Sequence, residues 1–308
     1  MNPDQSRPTI VVDWGTSNFR AYLVTADGLR LDRVNAADGL NNIDRPFDQV
    51  LLHHIGGWLR EYGPIPTVMC GMVGSPGGWQ FVPHVSTPAS LQQLAKSCVL
   101  LDAFTACPTW IVPGVSGTGI AGSADVMRGE EVQYFGALQW LHNARRERPH
   151  LLCFPGTHNK WVDASTDTLT AFSTTMSGEV FALLHEHSIL THSVDSDLTW
   201  RDPAFTAGLD YSGRDGGLLH HLFTVRSRNL ADEHALEDGP AYLSGLIIGH
   251  EIRHLRAAAA CSIGIVGATT LAQRYQFALA HFGYDAFLID NEDATIRGAL
   301  AIVKNLSS

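Results

Sequence analysis

The hydrophobic pattern of the chain opens with a buried strand that ends abruptly in a polar turn. Residues 9–12 are β-branched and apolar, residues 13–18 are mostly small and polar, and apolar alternation resumes at Phe19. This pattern predicts a strand, a tight turn and a second strand. A third strand is predicted over residues 29–34, where apolar and polar residues alternate.

The same order recurs near the middle of the chain. Residues 150–154 form an apolar strand, the polar turn P-G-T-H-N-K-W-V follows at residues 155–162, and residues 168–174 predict a further strand. A charged break at residues 143–149 precedes the repeat. We therefore predict two domains, residues 1–145 and 146–308.

Helices and further strands fill the rest of both halves, which indicates an α/β fold. Helical spacing or small-residue faces predict helices over residues 47–59, 125–138, 177–187, 241–260 and 294–300. Apolar runs predict strands over residues 66–71, 110–113, 261–266 and 286–289. The glycine- and serine-rich residues 114–124 predict a loop.

Composition narrows the functional classes. Hydrophobic residues make up 45% of the 308 residues and charged residues 17%, which is typical of a globular protein rather than a disordered one. The 21 basic residues are outnumbered by 31 acidic ones, so nucleic acid is excluded as the main partner. Neither a leader-like start nor a membrane-length apolar run is present, and we expect a cytoplasmic protein without membrane partners.

The two polar turns carry residue types that suit phosphate binding. In the first turn, Gly15 permits a sharp bend, and short donors follow at Thr16, Ser17 and Asn18. Asp13 ends the preceding strand, where a carboxylate can hold Mg²⁺. In the second turn the corresponding residues are Gly156, Thr157, His158 and the cation Lys160. An ordinary hairpin without a ligand explains the first turn equally well.

Two further stretches are candidates for substrate chemistry. The strand at residues 66–71 runs into the glycine-rich loop 71–79, at an end of a sheet where α/β proteins bind ligands. Either a flexible connection or a shaped pocket wall fits this loop. Arg128, Glu130 and Glu131 gather at the start of the next helix. Acidic residues there also complement the helix dipole, and for Glu131 we favour that purely structural interpretation.

Seven motifs in order carry a resemblance to a known family. They are V-D-W-G-T-S-N-F-R-A at residues 12–21, G-M-V-G-S at 71–75, M-R-G-E-E at 127–131, P-G-T-H-N-K-W-V at 155–162, T-M-S-G-E at 175–179, F-T-A-G-L at 205–209 and G-A-T-T-L-A-Q-R-Y at 267–275. The first resembles the phosphate motif of the actin and sugar kinase superfamily, and the whole set resembles the 2-dehydro-3-deoxygalactonokinase family.

This resemblance implies a fold and a reaction. The fold would be two ribonuclease H-like (actin-like ATPase) domains, each a mixed sheet flanked by helices, with a hinged cleft between them. The reaction would be ATP-dependent phosphorylation of the 6-hydroxyl of 2-dehydro-3-deoxy-D-galactonate in galactonate breakdown. The implied ligands are ATP, Mg²⁺ and the sugar acid, and we expect a monomer or a homodimer.

Site roles follow from the same resemblance. We predict Glu130 as the catalytic base, with Asp13 second, and Asp13 also as the Mg²⁺ residue, directly or through water. Predicted ATP-binding residues are Asp13, Gly15, Thr16, Ser17, Asn18, Arg20, Gly156, Thr157, His158, Lys160, Gly267, Ala268 and Thr269. Predicted substrate-binding residues are Gly71, Met72, Gly74, Ser75, Trp79, Arg128 and Glu179.

Several alternatives stay open at this point. The acceptor is either the galactonate-derived acid or its gluconate-derived epimer, because the two differ at one carbon. An exopolyphosphatase-like phosphohydrolase and a nucleotide-switched assembly protein share the predicted fold. The pattern H-E-I-R-H at residues 250–254 matches a zinc-binding H-E-x-x-H helix, but it lacks an obvious third ligand.

Overall fold

A computed structural model describes residues 7–119, 122–191, 202–231, 235–255 and 261–306. Contacts divide the chain into two compact units, each with its own core. Unit 1 comprises Met1–Arg148, Val162–Ser173 and Ile289–Ser308, and unit 2 comprises Pro149–Trp161 and Thr174–Leu288. The predicted domain bounds, residues 1–145 and 146–308, remain a prediction, and each unit is described below by its own contacts.

The strands of the described residues are short and include both predicted hairpins. They are β1 (Thr9–Trp14), β2 (Phe19–Val24), β3 (Arg30–Ala36), β4 (Thr67–Gly71), β5 (Val85–Ser86), β6 (Val99–Leu100), β7 (Thr109–Ile111), β8 (Val115–Thr118), β9 (Ala124–Met127), β10 (Leu151–Phe154), β11 (Asn159–Asp163), β12 (Phe172–Thr175), β13 (Ser262–Gly267) and β14 (Asp285–Asp290).

The helices of the described residues lie between and after these strands along the chain. They are α1 (Phe47–Tyr62), α2 (Leu91–Lys96), α3 (Glu130–Asn143), α4 (Ser177–His187), α5 (Asp202–Tyr211), α6 (Gly217–Ala231), α7 (Ala235–Arg253), α8 (Thr269–His281) and α9 (Asn291–Leu306). Within the described residues, helices long and apolar enough for a membrane span are absent.

The two main sheets repeat one strand order. The first sheet runs β3-β2-β1-β4-β7-β6, in which β1 is antiparallel to β2 and parallel to β4. The second sheet runs β12-β11-β10-β13-β14, with β10 parallel to β13. The first five strands of one sheet therefore correspond one by one to the strands of the other. This duplicated mixed sheet, flanked by helices, confirms the predicted α/β fold class.

Two predicted elements were wrong in part. Residues 114–124 were predicted as a loop, but β8 lies within them and forms a small sheet in the order β5-β8-β9. Residues 125–127 were predicted as helix and belong to β9, because α3 begins only after Gly129, whose φ is 111°. β8 pairs antiparallel with the nearby β9 and parallel with the more distant β5, and the glycine- and serine-rich composition of residues 114–124 masked the strand.

The long helix of unit 2 also differs from its prediction. It was predicted over residues 241–260, whereas α7 runs from Ala235 to Arg253 and contains Pro240. The predicted end at residues 256–260 lies outside the described residues. The apolar face of α7 forms much of the unit 2 core, in which Tyr242, Leu246 and Ile252 are buried.

Helix α9 completes unit 1 by crossing α3 at close range. A Cβ atom on Gly136 would lie 1.7 Å from the carbonyl oxygen of Ala294, and one on Gly298 would lie 1.9 Å from that of Val132. The helices can approach this closely only because both residues are glycine. The predicted small-residue helix near the carboxyl terminus is thus confirmed, and it packs on the sheet of unit 1 through Ile296 and Ile302.

Candidate active site

The first polar turn joins β1 to β2 in unit 1. Asp13 on β1 lies opposite Arg20 on the antiparallel strand β2, and the Arg20 Nη1 atom lies 3.1 Å from Asp13 Oδ2. The Asp13 side chain is only 15% exposed. Burial raises the pKa of the Asp13 carboxyl above its ordinary value, and the Arg20 guanidinium opposes that rise. The predicted carboxylate and cation therefore lie together at the base of the turn.

Residues 40–42, which are not among the predicted site residues, donate hydrogen bonds to the carbonyls of this turn. The backbone N–H groups of Leu40 and Asn41 donate to the carbonyls of Gly15 and Thr16 at 3.1 and 3.0 Å. The Asn42 amide donates to the Ser17 carbonyl at 3.2 Å. Because C=O and the following N–H point in opposite directions in a trans peptide, the amides of residues 16–18 face away from this segment. The turn thus offers a row of donors on its other side.

The carboxyl end of β4 lies beside this turn and beside the start of α3. A Cβ atom on Gly71 would lie 2.8 Å from the Trp14 carbonyl oxygen and 3.4 Å from Asp13 Oδ1. A Cβ atom on Gly129 would lie 3.5 Å from the Gly71 Cα. Glu130 is the first residue of α3 and therefore follows directly on this contact.

Three carboxylates gather around the end of β4. Burial raises the pKa of the Cys70 thiol well above its ordinary value, and Asp13, Glu131 and Glu130 raise it further through their negative charges. These charges act on one thiol because the side chains of all three acids lie near it. Unit 1 therefore brings both predicted bases, Glu130 and Asp13, to one edge of its sheet.

Glu131 has a different environment from its neighbour Glu130. Its side chain is fully buried, and the N–H of Gly129 donates to Oε2 at 2.6 Å. In the described part of the chain, Oε1 has no hydrogen-bond partner. Burial, reinforced by the charge of Glu130, raises the pKa of Glu131 to about 8. This hydrogen bond ties the Glu131 side chain to the residue that precedes α3, and the predicted role of Glu131 at the helix start remains a prediction.

The glycine-rich loop after β4 meets Arg128. A Cβ atom on Gly74 would lie 2.7 Å from Arg128 Nη1, so the guanidinium packs directly on the loop. Arg128 Nη2 donates to the Val82 carbonyl at 2.7 Å and lies 3.4 Å from His84 Nε2. Nη1 is buried and has no partner among the described residues. Burial lowers the pKa of Arg128 from its ordinary value.

The predicted substrate residues Met72, Ser75 and Trp79 lie in the same loop. Met72 and Gly74 bound a single 3-10 turn, and the Ser75 N–H donates to the Met72 carbonyl at 3.0 Å. Trp79 is half-buried, stacks on Phe47 with ring centroids 6.1 Å apart, and meets Trp14 edge-on at 6.4 Å. Aromatic packing thus fixes the far end of the loop against the first turn.

The second polar turn, in unit 2, is held by the start of α4. The N–H of Glu179 donates to the Thr157 carbonyl at 2.9 Å, and the Glu179 carboxylate pairs with His158 Nε2. A Cβ atom on Gly178 would lie 2.2 Å from the Gly156 carbonyl oxygen. Glu179, predicted among the substrate residues, thus contacts the predicted phosphate turn, and its substrate role remains a prediction.

A cavity of about 270 Å³ opens beside the second turn. Its lining residues come from the turn, α4, α7 and α8, and they are Gly156, Thr157, Ser177, Gly178, Phe181, Ser244, Ile247, Ile248, Leu271, Arg274 and Tyr275. Burial lowers the pKa of Arg274 from its ordinary value. The cavity therefore combines an apolar floor with a guanidinium and a tight turn, as small-molecule sites usually do.

The predicted adenosine motif lies at the start of α8. A Cβ atom on Gly267 would lie 3.1 Å from Pro155 Cδ, so the motif packs against the second turn. Ala268 is exposed and precedes the first helical residue, Thr269, whose side chain lies outside the described residues. Lys160 lies in β11 and is 5% exposed, and its predicted contact with phosphate remains a prediction.

The H-E-I-R-H pattern places its glutamate away from its histidines. Glu251 accepts hydrogen bonds at Oε1 from Asn159 and from Trp161 Nε1, and at Oε2 from Ser177 and from the Tyr275 hydroxyl, which lies 2.7 Å away. His250 pairs instead with His221, at 2.8 Å. Groups of side chains able to hold a metal ion are absent from the described residues. The zinc alternative therefore has no support there.

The site residues that the sequence did not predict lie far along the chain from the groups to which they hydrogen-bond. Leu40, Asn41 and Asn42 act on a turn more than twenty residues earlier, and Glu251 binds Asn159, 92 residues earlier. Glu251 was considered only as part of the H-E-I-R-H pattern, and because α7 also carries Glu237, Asp238 and Arg253, its charge alone did not mark it. Arg274 and Tyr275 belong to the G-A-T-T-L-A-Q-R-Y motif but were not singled out.

Comparison with known proteins gives consistent matches over nearly the whole chain. A family model described as 2-keto-3-deoxy-galactonokinase matches residues 13–302. A relative from Rhizobium meliloti strain 1021, named a probable 2-dehydro-3-deoxygalactonokinase, is 33% identical over 95% of both chains. The 2-dehydro-3-deoxygalactonokinase of Escherichia coli strain K12 is 32% identical over 95% of this chain and 96% of its own.

A solved structure extends the match to three dimensions. A crystal structure of a candidate 2-dehydro-3-deoxygalactonokinase from Sinorhizobium meliloti superposes with a TM-score of 0.86. It is 32% identical in sequence and covers 96% of this chain and 96% of its own. The strand order and the turns described above therefore belong to a known architecture.

Proposed function

Because the chain belongs to the 2-keto-3-deoxy-galactonokinase family, we propose that it transfers the γ-phosphoryl group of ATP to the 6-hydroxyl of 2-dehydro-3-deoxy-D-galactonate. The protein is a sugar-acid kinase of galactonate catabolism. One observation carries the assignment of its nucleotide site. The cavity of unit 2 joins the predicted phosphate turn to the predicted adenosine helix in a single pocket.

The nucleotide binds in this cavity. Phe181, Ile247 and Leu271 form an apolar surface against which an adenine ring can stack or pack. Gly156 leaves open space beside its Cα, so a phosphate can approach the backbone there. The Arg274 guanidinium at the cavity wall supplies positive charge for the phosphates.

The acceptor binds in unit 1, beside the end of β4. Arg128 Nη1 is a buried donor next to the glycine-rich loop, and a substrate carboxylate would complete its hydrogen bonding. Glu130 accepts the proton of the attacking hydroxyl, because it is partly exposed and follows the Gly71–Gly129 contact directly. Asp13 lies beside this position as the second candidate base.

The residues of the first turn fit a Mg²⁺ ion. Gly71 lacks the Cβ atom that would fill the space near Asp13 Oδ1, and that missing atom leaves a cradle beside a carboxylate oxygen. Carboxylate oxygens are the protein ligands that Mg²⁺ prefers, and it keeps several of its waters. Asp13 would hold the ion directly or through water. When bound, Mg²⁺ neutralises charge on the transferred phosphoryl group.

The chain's own groups then position the reactants. The donors at residues 16–18 and the second turn orient phosphate oxygens, and Arg20 balances the charge of Asp13. Phosphoryl transfer needs mainly such positioning and electrostatic stabilisation, with one proton accepted from the hydroxyl. Because ATP is the donor, we also propose that the protein works in the cytoplasm.

The test is ADP release from Mg-ATP against a panel of purified 2-keto-3-deoxy acids, with a control that lacks any acceptor. We expect release with the galactonate-derived acid and at least about tenfold less with the gluconate-derived epimer, since placed hydrogen bonds discriminate epimers. Equal release in the control would indicate a phosphohydrolase. Equal turnover of both epimers would contradict the substrate assignment but leave the kinase class standing.

A further inference from the structure

Glu251 is a buried carboxylate that lies outside the nucleotide cavity. Its side chain belongs to α7 and the residue is only 9% exposed. The two oxygens accept four hydrogen bonds, from two amide or indole N–H groups and two hydroxyls. A buried charge is costly unless it is fully hydrogen-bonded, and this one is.

The four donors come from three elements around the cavity. Asn159 and Trp161 lie on β11, directly after the second turn. Ser177 begins α4 and precedes Gly178, which packs on the Gly156 carbonyl. Tyr275 lies on α8, the helix of the adenosine motif, and lines the cavity. Glu251 is therefore a common partner of the turn, the helix that holds it and the helix beside the nucleotide.

We propose that Glu251 is the positioning residue of the nucleotide site, which sets the separation of β11, α4 and α8 by binding all three. This inference rests on the assignment of the cavity to ATP. The Asn159 side chain also accepts a hydrogen bond from the Cys153 thiol, which lies 3.5 Å from its Oδ1. Glu251 does not contact the reacting atoms and acts through its donors.

The chemistry of the four donors predicts which substitutions are tolerated. Loss of the carboxylate leaves the Asn159 and Trp161 N–H groups without their acceptor in the core, which is strongly unfavourable. The Ser177 hydroxyl also bonds Thr175, so the two N–H groups account for most of the loss. Glutamine preserves most of the network, because its carbonyl accepts from Asn159 and Trp161. Its amide then donates to the Ser177 and Tyr275 hydroxyls, which rotate to accept.

The test compares three variants by the dissociation constant for Mg-ATP, measured by calorimetry without acceptor. Glu251→Ala should weaken ATP binding at least about tenfold, whereas Glu251→Gln should stay within about threefold of the wild type. Val225→Ala is the matched control, since it removes buried volume from the same core without touching the network. It should lower the melting temperature but leave the ATP dissociation constant unchanged.

Steady-state kinetics supply the second readout. Glu251→Ala should raise the KM for ATP in proportion to its dissociation constant, while the KM for the sugar acid changes less than about twofold. A general loss of folded protein would lower kcat and leave both KM values alone. The inference is overturned if Glu251→Ala binds ATP like the wild type, if Val225→Ala weakens ATP binding equally, or if Glu251→Gln is as damaging as Glu251→Ala.

A milder variant covers the case in which Glu251→Ala does not fold. Trp161→Phe removes one donor, keeps the carboxylate, and affects a residue that is buried and outside the cavity lining. It should weaken ATP binding about three- to tenfold, and an unchanged dissociation constant would overturn the inference. A wild type that binds ATP but lacks acceptor-dependent turnover would contradict the proposed reaction and leave this test intact.

Discussion

Two adjacent glutamates at the start of α3 show how environment separates residues of the same chemistry. Glu130 is partly exposed, while Glu131 is fully buried and accepts a hydrogen bond from the Gly129 N–H. Burial and the neighbouring charge hold the pKa of Glu131 near 8, so it carries a proton over much of the neutral range. Only the more exposed neighbour has the access that a general base needs.

Replacement of Glu130 by glutamine should abolish most of the turnover. Loss of a general base typically lowers kcat by about 10²- to 10⁴-fold, and the ATP dissociation constant should not change because the cavity proposed to bind ATP lies in unit 2. Asp48→Asn is the matched control, since Asp48 is also an acidic residue in the first turn of a helix. It should retain full turnover. Turnover of Glu130→Gln within about tenfold of the wild type would rule out the assigned base.

Replacement of Glu131 by glutamine should stabilise the protein in a pH-dependent way. The folded pKa of about 8 lies above the ordinary value of 4.5, so ionisation of Glu131 increasingly opposes folding as the pH rises between these values. The variant should match the wild type near pH 4.5 and gain up to about 5 kcal/mol in free energy of unfolding by pH 8, at about 1.4 kcal/mol per pH unit.

Urea unfolding at several pH values measures this gain. Glu186→Gln is the control, because the Glu186 side chain is 63% exposed and its replacement should give no such trend. A stability difference between Glu131→Gln and the wild type that stays constant from pH 4.5 to 8 would show that burial does not raise the pKa of Glu131 in the folded protein.

At the scale of elements, each of the two polar turns is contacted by a partner segment on the side of its carbonyls. Residues 39–42 hold the first turn through two backbone N–H groups and the Asn42 amide. The start of α4 holds the second turn through the Glu179 N–H and the close contact of Gly178. The two partners differ in structure, a loop in one case and a helix in the other. In both turns, the partner segment donates hydrogen bonds to backbone carbonyls of the turn.

A Cβ atom at position 178 should disturb the second turn directly. In Gly178→Ala this atom would lie 2.2 Å from the Gly156 carbonyl oxygen, so the turn or α4 must shift, at a cost of about 1–3 kcal/mol. We expect the KM for ATP to rise several-fold in steady-state assays. Gly57→Ala in α1 is the control, since its nearest atom is 3.9 Å away and alanine favours helix. An unchanged KM for ATP in Gly178→Ala would contradict the role of this contact.

For the whole molecule, the sequence predicted what is local and missed what is distant. Both hairpins were predictable because a short apolar strand and a turn of Gly, Thr and Asn are encoded within a dozen residues. The contacts of residues 40–42 with the first turn and those of Glu251 with Asn159 join groups that lie far apart along the chain. Periodicity and turn chemistry carry no information about such partners.

The close crossing of α9 on α3 constrains the order in which the polypeptide matures during its synthesis. The strands of unit 1 precede unit 2 in the chain, but α9, which belongs to unit 1, follows all of unit 2. The face formed by Val11, Tyr22 and Val68 is covered by Ile296, Leu300 and Ile302, so it stays uncovered until α9 has been made. All segments of unit 2 are made before α9. The strands β1, β2 and β4 are therefore made before unit 2 but have this face covered only after it, and a nascent chain that ended before α9 would expose the apolar face to chaperones and proteases.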